Sequence, residues 1–199
     1  MPIQKLELEE NKPIEIKFSL SVNQLDVPDE WNTDYMCELF KKYRRVMIRA
    51  EYAGSGKSYA CEYMRKLGHK VLFVCPTNFL KQDIGGEAVT LNTFFSVSMP
   101  GKDAEPLPKF DDSQFDVIVF DEIFFADIRM LGRIKKYSEF HPEKIILATG
   151  DTCQLESVAT LSNTISFDEY SNHCIDTIFS NSIYLRENKR LKQKKINKH

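Results

Sequence analysis

The sequence predicts an α/β fold: a central, mostly parallel sheet covered by helices on both faces. Three observations carry this expectation. Short apolar runs, VMIRA (46–50), VLFVC (71–75), VIVF (117–120) and IILAT (145–149), recur between longer amphipathic or irregular stretches. Strands buried on both faces require runs of this kind. The first run leads into a Gly-rich turn and then a helical pattern, and the third and fourth end in polar or acidic residues. Ligands of open α/β sheets collect at such strand ends.

In chain order, residues 1–28 mix charge, Pro2, Pro13 and Pro28 with a short alternating piece, IEIKFSLSV, that suits an edge strand or hairpin arm. We treat them as an N-terminal extension to a main domain over 29–190. Within DEWNTDYMCELFKKY (29–43), Trp31, Tyr35, Met36, Leu39 and Phe40 stand at helical spacing behind acidic and capping residues. The strand runs follow, and a shorter fifth run, SIYL (182–185), joins their sheet. The stretch MPGKDAEPLPKFDDS (99–113) reads as a surface loop, and residues 191–199 as a basic tail.

With 199 residues, 42% of them hydrophobic, the chain is long enough to bury one substantial core. It has no apolar run long enough for a membrane span and begins without the basic-then-apolar order of a signal peptide, so we expect a soluble intracellular protein with no membrane partner. The five cysteines are widely spaced, with no CxxC pair, and read as buried free thiols. A net charge of −2 means that affinity for nucleic acid has to come from a local patch.

The turn after the first strand is AEYAGSGKS (50–58). A strand, a Gly-rich turn and a helix in that order aim backbone N–H groups and the positive end of the helix dipole at one point, which makes an anion cradle. Ala53, Gly54, Ser55, Gly56, Lys57 and Ser58 form it, with Lys57 reaching the β and γ phosphates of a nucleotide and Ser58 placed to ligate Mg2+. Glu51 stands where G-x-x-x-x-G-K-[ST] has its first glycine. In FDVIVFDEIFF, Asp121 is placed to hold the Mg2+ shell, and Glu122 to accept a proton from the attacking water. In IILATGDTCQLESV (145–158), Gln154 can hydrogen-bond a γ phosphate or that water through its amide.

These blocks, AGSGKS, FDEI and GDTCQL, resemble the first three motifs of superfamily 1 DNA helicases, nearer the RecD-like branch. The resemblance runs from about Arg45 to Arg190. It implies a RecA-like P-loop NTPase fold over 29–190, with ATP and Mg2+ as cofactors. By the same resemblance, Pro76, Thr77 and Asn78, together with Thr90, Asn92 and Thr93, stand where relatives touch single-stranded DNA, with RNA as the other option. Phe94 or Phe95 are candidates to stack a base, against the alternative that both are core residues. Arg190 is implied as the arginine that reaches the γ phosphate, with Arg186 in reserve, and Gln24 is merely available as an adenine contact. A second RecA-like lobe is missing from the chain, so the expectation is a lobe that hydrolyses ATP and translocates on a strand only when joined to that partner. The alternative is a truncated nucleotide-binding module without turnover. A small-molecule kinase is disfavoured because it needs neither Glu122 nor Gln154.

Overall fold

The computed structural model describes residues 21–28, 30–51, 54–82, 84, 87–97, 109–151 and 167–186. Its first strand, β1 (Asn23–Leu25), is followed by helix α1 (Thr33–Tyr43) and strand β2 (Arg45–Ala50). Asn32 caps α1 by accepting from the Tyr35 N–H at 2.8 Å. Arg44, left-handed at φ 58°, closes it and turns the chain directly into β2. Met36, Cys37 and Phe40 are the buried face of α1, and Trp31 is buried just before it. Tyr35, expected on that face, is 40% exposed, and its hydroxyl donates to the Asp26 carbonyl at 3.3 Å.

Helix α2 (Lys57–Lys66) starts at the end of the Gly-rich turn and leads into β3 (Val71–Cys75), short helix α3 (Asn78–Gln82), β4 (Ala88–Thr90) and one-turn helix α4 (Leu91–Phe94). The second half runs β5 (Val117–Phe120), a 3-10 turn (Ile123–Phe125), α5 (Ile128–Phe140), β6 (Ile145–Asp151), α6 (Phe167–Ile178) and β7 (Asn181–Leu185). All five predicted apolar runs are strands. The edge strand anticipated on IEIKFSLSV falls mostly outside the described residues, as do residues 99–108 of the predicted surface loop and the basic tail.

The seven strands form one sheet in the order β1-β7-β2-β6-β5-β3-β4, and each pair in it is parallel. Side chains alternate between the faces of a strand, which divides the core in two. Val46, Ile48 and Ala50 of β2 face α1 and α2, with Phe40, Cys61 and Met64 beneath. Met47 faces the other way, with Leu131 and Ile134 of α5 and Ile175 and Ile178 of α6. Each such side chain, taken fully from water, contributes about 1.5–3 kcal/mol. Strands β5 and β6 are buried along their whole length, and so they carry no alternating polar face.

This order decides where the motifs meet. Strand β6 lies between β2 and β5, paired Ala50↔Asp151 on one side and Phe120↔Ala148 on the other. The carboxyl ends of three strands that are distant in sequence are therefore neighbours.

Candidate functional site

At that edge the chain leaves β2 through Glu51, whose N–H donates to the Leu185 carbonyl at 3.4 Å and so extends the β2–β7 ladder. Arg44, Ser96 and Glu122 are the non-glycine residues with positive φ among those described. Glu51 is not one of them, so this first position of the loop makes no demand for glycine. Gly54 and Gly56 do need their freedom, at φ 84° and 94°. Gly56 is the N-cap of α2 and supplies no side-chain cap, which leaves the helix N-terminus to an anion. Ser55 is 1% exposed, and its hydroxyl has no hydrogen-bond partner. Ala53 lies outside the described residues.

Lys57 and Ser58 open α2 and point at the acidic strand ends. The Lys57 ammonium is paired with the Asp151 carboxylate and stands 3.8 Å from Glu122 Oε1. The Ser58 hydroxyl donates to Asp121 Oδ1 at 3.1 Å. From β6, the buried Thr149 hydroxyl donates to the same oxygen at 2.6 Å and accepts the Glu122 N–H at 3.2 Å. Thr149 thus ties the end of β5 to β6 and holds Glu122 in a left-handed conformation, φ 51° and ψ 48°. That conformation is costly for a residue with a Cβ.

Burial is the main influence on Glu122. It raises the carboxyl from its ordinary value to about 7, the charges of Asp121 and Asp151 push the same way, and Lys57 opposes them. Oxygen Oε2 of Glu122 is buried with no partner, an acceptor ready for a donor. Gly150 completes the packing. A Cβ there would lie 2.4 Å from the Phe124 ring, so only glycine lets the 3-10 turn after Glu122 close against β6.

The predicted strand-contact residues lie further along the same edge. Pro76, Thr77 and Asn78 follow β3, Thr90 ends β4, its parallel neighbour, and Asn92 and Thr93 lie in α4. Thr77, Asn78 and Thr93 are exposed, and Thr90 caps α4 by accepting from the Thr93 N–H at 3.2 Å. Of the aromatic candidates, Phe94 is 7% exposed and packs edge-on against Phe120, so it is a core residue and offers no face to a base. Phe95 is half-buried and parallel to Phe120. Gln154 and Arg190 lie outside the described residues. Arg186 is exposed, with its guanidinium 5.9 Å from the Tyr184 ring centre, and Gln24 is an exposed residue of β1.

Thr149 and Asp151, both within IILATGDTCQLESV, had no expected part in the site. Their signal was position: both stand at the carboxyl end of a wholly buried strand, beside the acidic pair once strand order is known. A cleft of about 500 Å³ lies at the opposite end of the sheet, lined by Asp112, Phe115, Asp116, His141, Glu143 and Lys144. It precedes β5 and β6, at the far end of the sheet from the Gly-rich turn and the start of α2.

The sequence matches the family model described as an AAA domain (AAA_30) over residues 32–169. The chain belongs to this AAA domain family. No curated protein matches it. Solved structures of Pif1 helicases resemble this AAA domain in fold. Bacteroides Pif1 bound to ssDNA aligns at 18% identity and TM-score 0.51, over 83% of this chain and 43% of that one. The Candida albicans Pif1 helicase aligns at 19% and 0.55, over 83% and 42%. Bacteroides Pif1 in complex with ADP-AlF3 and ssDNA aligns at 19% and 0.50, over 81% and 43%. The AAA domain chain thus spans less than half the length of these helicases, and at such identities the likeness is one of fold: the parallel, helix-covered sheet of a RecA-like domain. Among the described residues, no helix is long and apolar enough to cross a membrane.

Proposed function

We propose that this AAA domain is the ATP-binding and ATP-hydrolysing lobe of a superfamily 1 DNA helicase. The observation that carries the reading is the meeting of Ser58 with Asp121, at 3.1 Å, beside Lys57 and Glu122. Two sequence blocks far apart in the chain thereby supply one set of hard oxygen donors, one cation and one carboxyl of raised pKa. The groups fit a nucleotide: the turn has left-handed glycines, an uncapped helix N-terminus and a buried serine hydroxyl without a partner. They also fit Mg2+, for which a hydroxyl and a carboxylate in contact are suited ligands.

In this reading Ser58 and Asp121 hold the cation, which when bound supplies positive charge against the phosphate oxygens. The backbone N–H groups of the turn and Lys57 bind and neutralise the β and γ phosphates. Glu122, buried and fixed by Thr149, takes the proton of the attacking water at Oε2. Gln154 orients that water through its amide, and Arg190 neutralises charge developing on the γ phosphate, a role that rests on the family resemblance alone. Pro76, Thr77, Asn78, Thr90, Asn92 and Thr93 bind the phosphates of single-stranded DNA. Support for this comes from their position after β3, at the end of β4 and in α4, on the edge that carries the nucleotide groups, which gives hydrolysis a short route to the strand. Translocation is proposed only for the lobe joined to a second RecA-like lobe, since hydrolysis does mechanical work on a strand when two lobes move against each other.

Equilibrium titration of a fluorescent ATP analogue with Mg2+ tests the reading. The chain is expected to bind it, and Lys57→Ala to weaken binding by about tenfold or more, the worth of a charge-assisted contact to phosphate. No uptake by the unaltered chain contradicts the proposal.

A further inference from the structure

Among the described residues, Lys57 is the cation paired with the acidic strand ends, where Asp121, Glu122 and Asp151 gather. Lys57 is 7% exposed, Asp121 7% and Asp151 3%. Of the three, Asp151 makes the ion pair with the Lys57 ammonium, while Glu122 stands 3.8 Å from it. A buried charge without a partner is expensive, and so Asp151 and Lys57 each depend on the other. Nothing in the catalytic roles assigned above uses Asp151. Its place is fixed all the same: it ends β6, in register with Ala50, the residue from which the phosphate loop departs.

We propose that Asp151 is a positioning residue that competes with nucleotide phosphate for Lys57, so that nucleotide binding is an exchange of one anion for another on the same ammonium. This rests on the reading of the site as a nucleotide site. The geometry supports exchange over simple addition, because the ammonium is enclosed at 7% exposure and already paired, so a hydrogen it gives to Asp151 is withheld from a phosphate oxygen. Exchange lowers apparent affinity by the fraction of time Lys57 spends on Asp151. It also leaves Asp151 without its cation whenever phosphate is bound, three positions before Gln154 in the chain.

Calorimetric titration with ATP and Mg2+ at pH 8 tests the exchange on the unaltered chain, Asp151→Asn and Glu122→Gln. Exchange predicts that Asp151→Asn binds ATP about tenfold tighter, the gain from a lysine released from a pairing that holds about nine-tenths of the time. Glu122→Gln, which removes a charge near the same ammonium without breaking the ion pair, gains much less. Equal gains in the two variants, as plain relief of repulsion would give, overturn the exchange, and so does no gain in Asp151→Asn. No uptake of ATP by the unaltered chain removes the functional reading itself, which is a different result.

A second measurement needs no nucleotide. Lys57→Ala leaves Asp151 buried and unpaired, and its melting temperature falls by roughly 5–10 °C. Adding Asp151→Asn to it restores most of that loss. A Lys57→Ala protein as stable as the unaltered chain overturns the pairing on which the exchange depends.

Discussion

Glu122 shows how local structure sets chemistry. Burial holds its carboxyl near 7, helped by Asp121 and Asp151 and opposed by Lys57. Such a raised value means that the folded chain keeps a proton which the unfolded chain, with an ordinary carboxyl near 4.3, has already lost. The stability tied to that proton is fully present below about pH 4 and is lost as pH rises through about 7. Glu122→Gln has no proton to lose. In metal-free buffer its melting temperature should therefore gain several degrees on the unaltered chain between pH 5 and pH 8, with the two curves parallel below about pH 4. Scanning calorimetry across that range checks it, and a constant difference between the two proteins contradicts it. The acidic pair itself was legible from the sequence, since an apolar strand ending in two carboxylates has few other readings. That Thr149 holds Asp121, and Asp151 holds Lys57, was not, because both contacts depend on β6 lying between β2 and β5.

Among the elements, the five apolar runs were legible because strands covered on both faces have no polar alternation to obscure them. Strands β1 and β4 escaped detection for the opposite reason. Each is three residues long, at an edge of the sheet, and NQL and AVT hold too few apolar positions to show a period. The far end of the sheet is held by polar contacts that no periodicity reveals. Arg45 donates to the carbonyls of Ser138 at 3.0 Å, His141 at 2.7 Å and Lys144 at 2.6 Å, and so satisfies the end of α5 and the turn beyond it. Lys144 donates to the Asp112 and Phe115 carbonyls at 2.8 and 2.7 Å and pairs with the Asp112 carboxylate at 3.3 Å. The Tyr137 hydroxyl donates to that carboxylate as well. Burial pushes the Asp112 carboxyl up, but Tyr137 and Lys144 outweigh it and hold it below its ordinary value. A lowered value gives stability above the unfolded pKa that is lost as pH falls through the folded one. Asp112→Asn should accordingly melt a few degrees lower at pH 7, by about 2–6 °C, with the deficit shrinking below about pH 4. A deficit of the same size at every pH would show that the ionised carboxylate has no part in holding this end.

On the scale of the whole molecule, the parallel sheet brings sequence blocks around residues 57, 121 and 151 to one edge and sets residues 76–78, after β3, and residues 90–93, at the end of β4 and in α4, further along it. In the proposed reading, nucleotide chemistry and strand contact share this one sheet edge, and that is how one drives the other. The AAA domain match covers residues 32–169, which include all three blocks. The measurement that tests the central claim most directly is steady-state ATP hydrolysis by the purified chain with Mg2+, with and without single-stranded DNA, beside Glu122→Gln. The account predicts slow turnover that rises with DNA and falls by about 10²–10⁴-fold in Glu122→Gln, the range for loss of a general base. Turnover in Glu122→Gln equal to that of the unaltered chain, or none in the unaltered chain with DNA present, would contradict it.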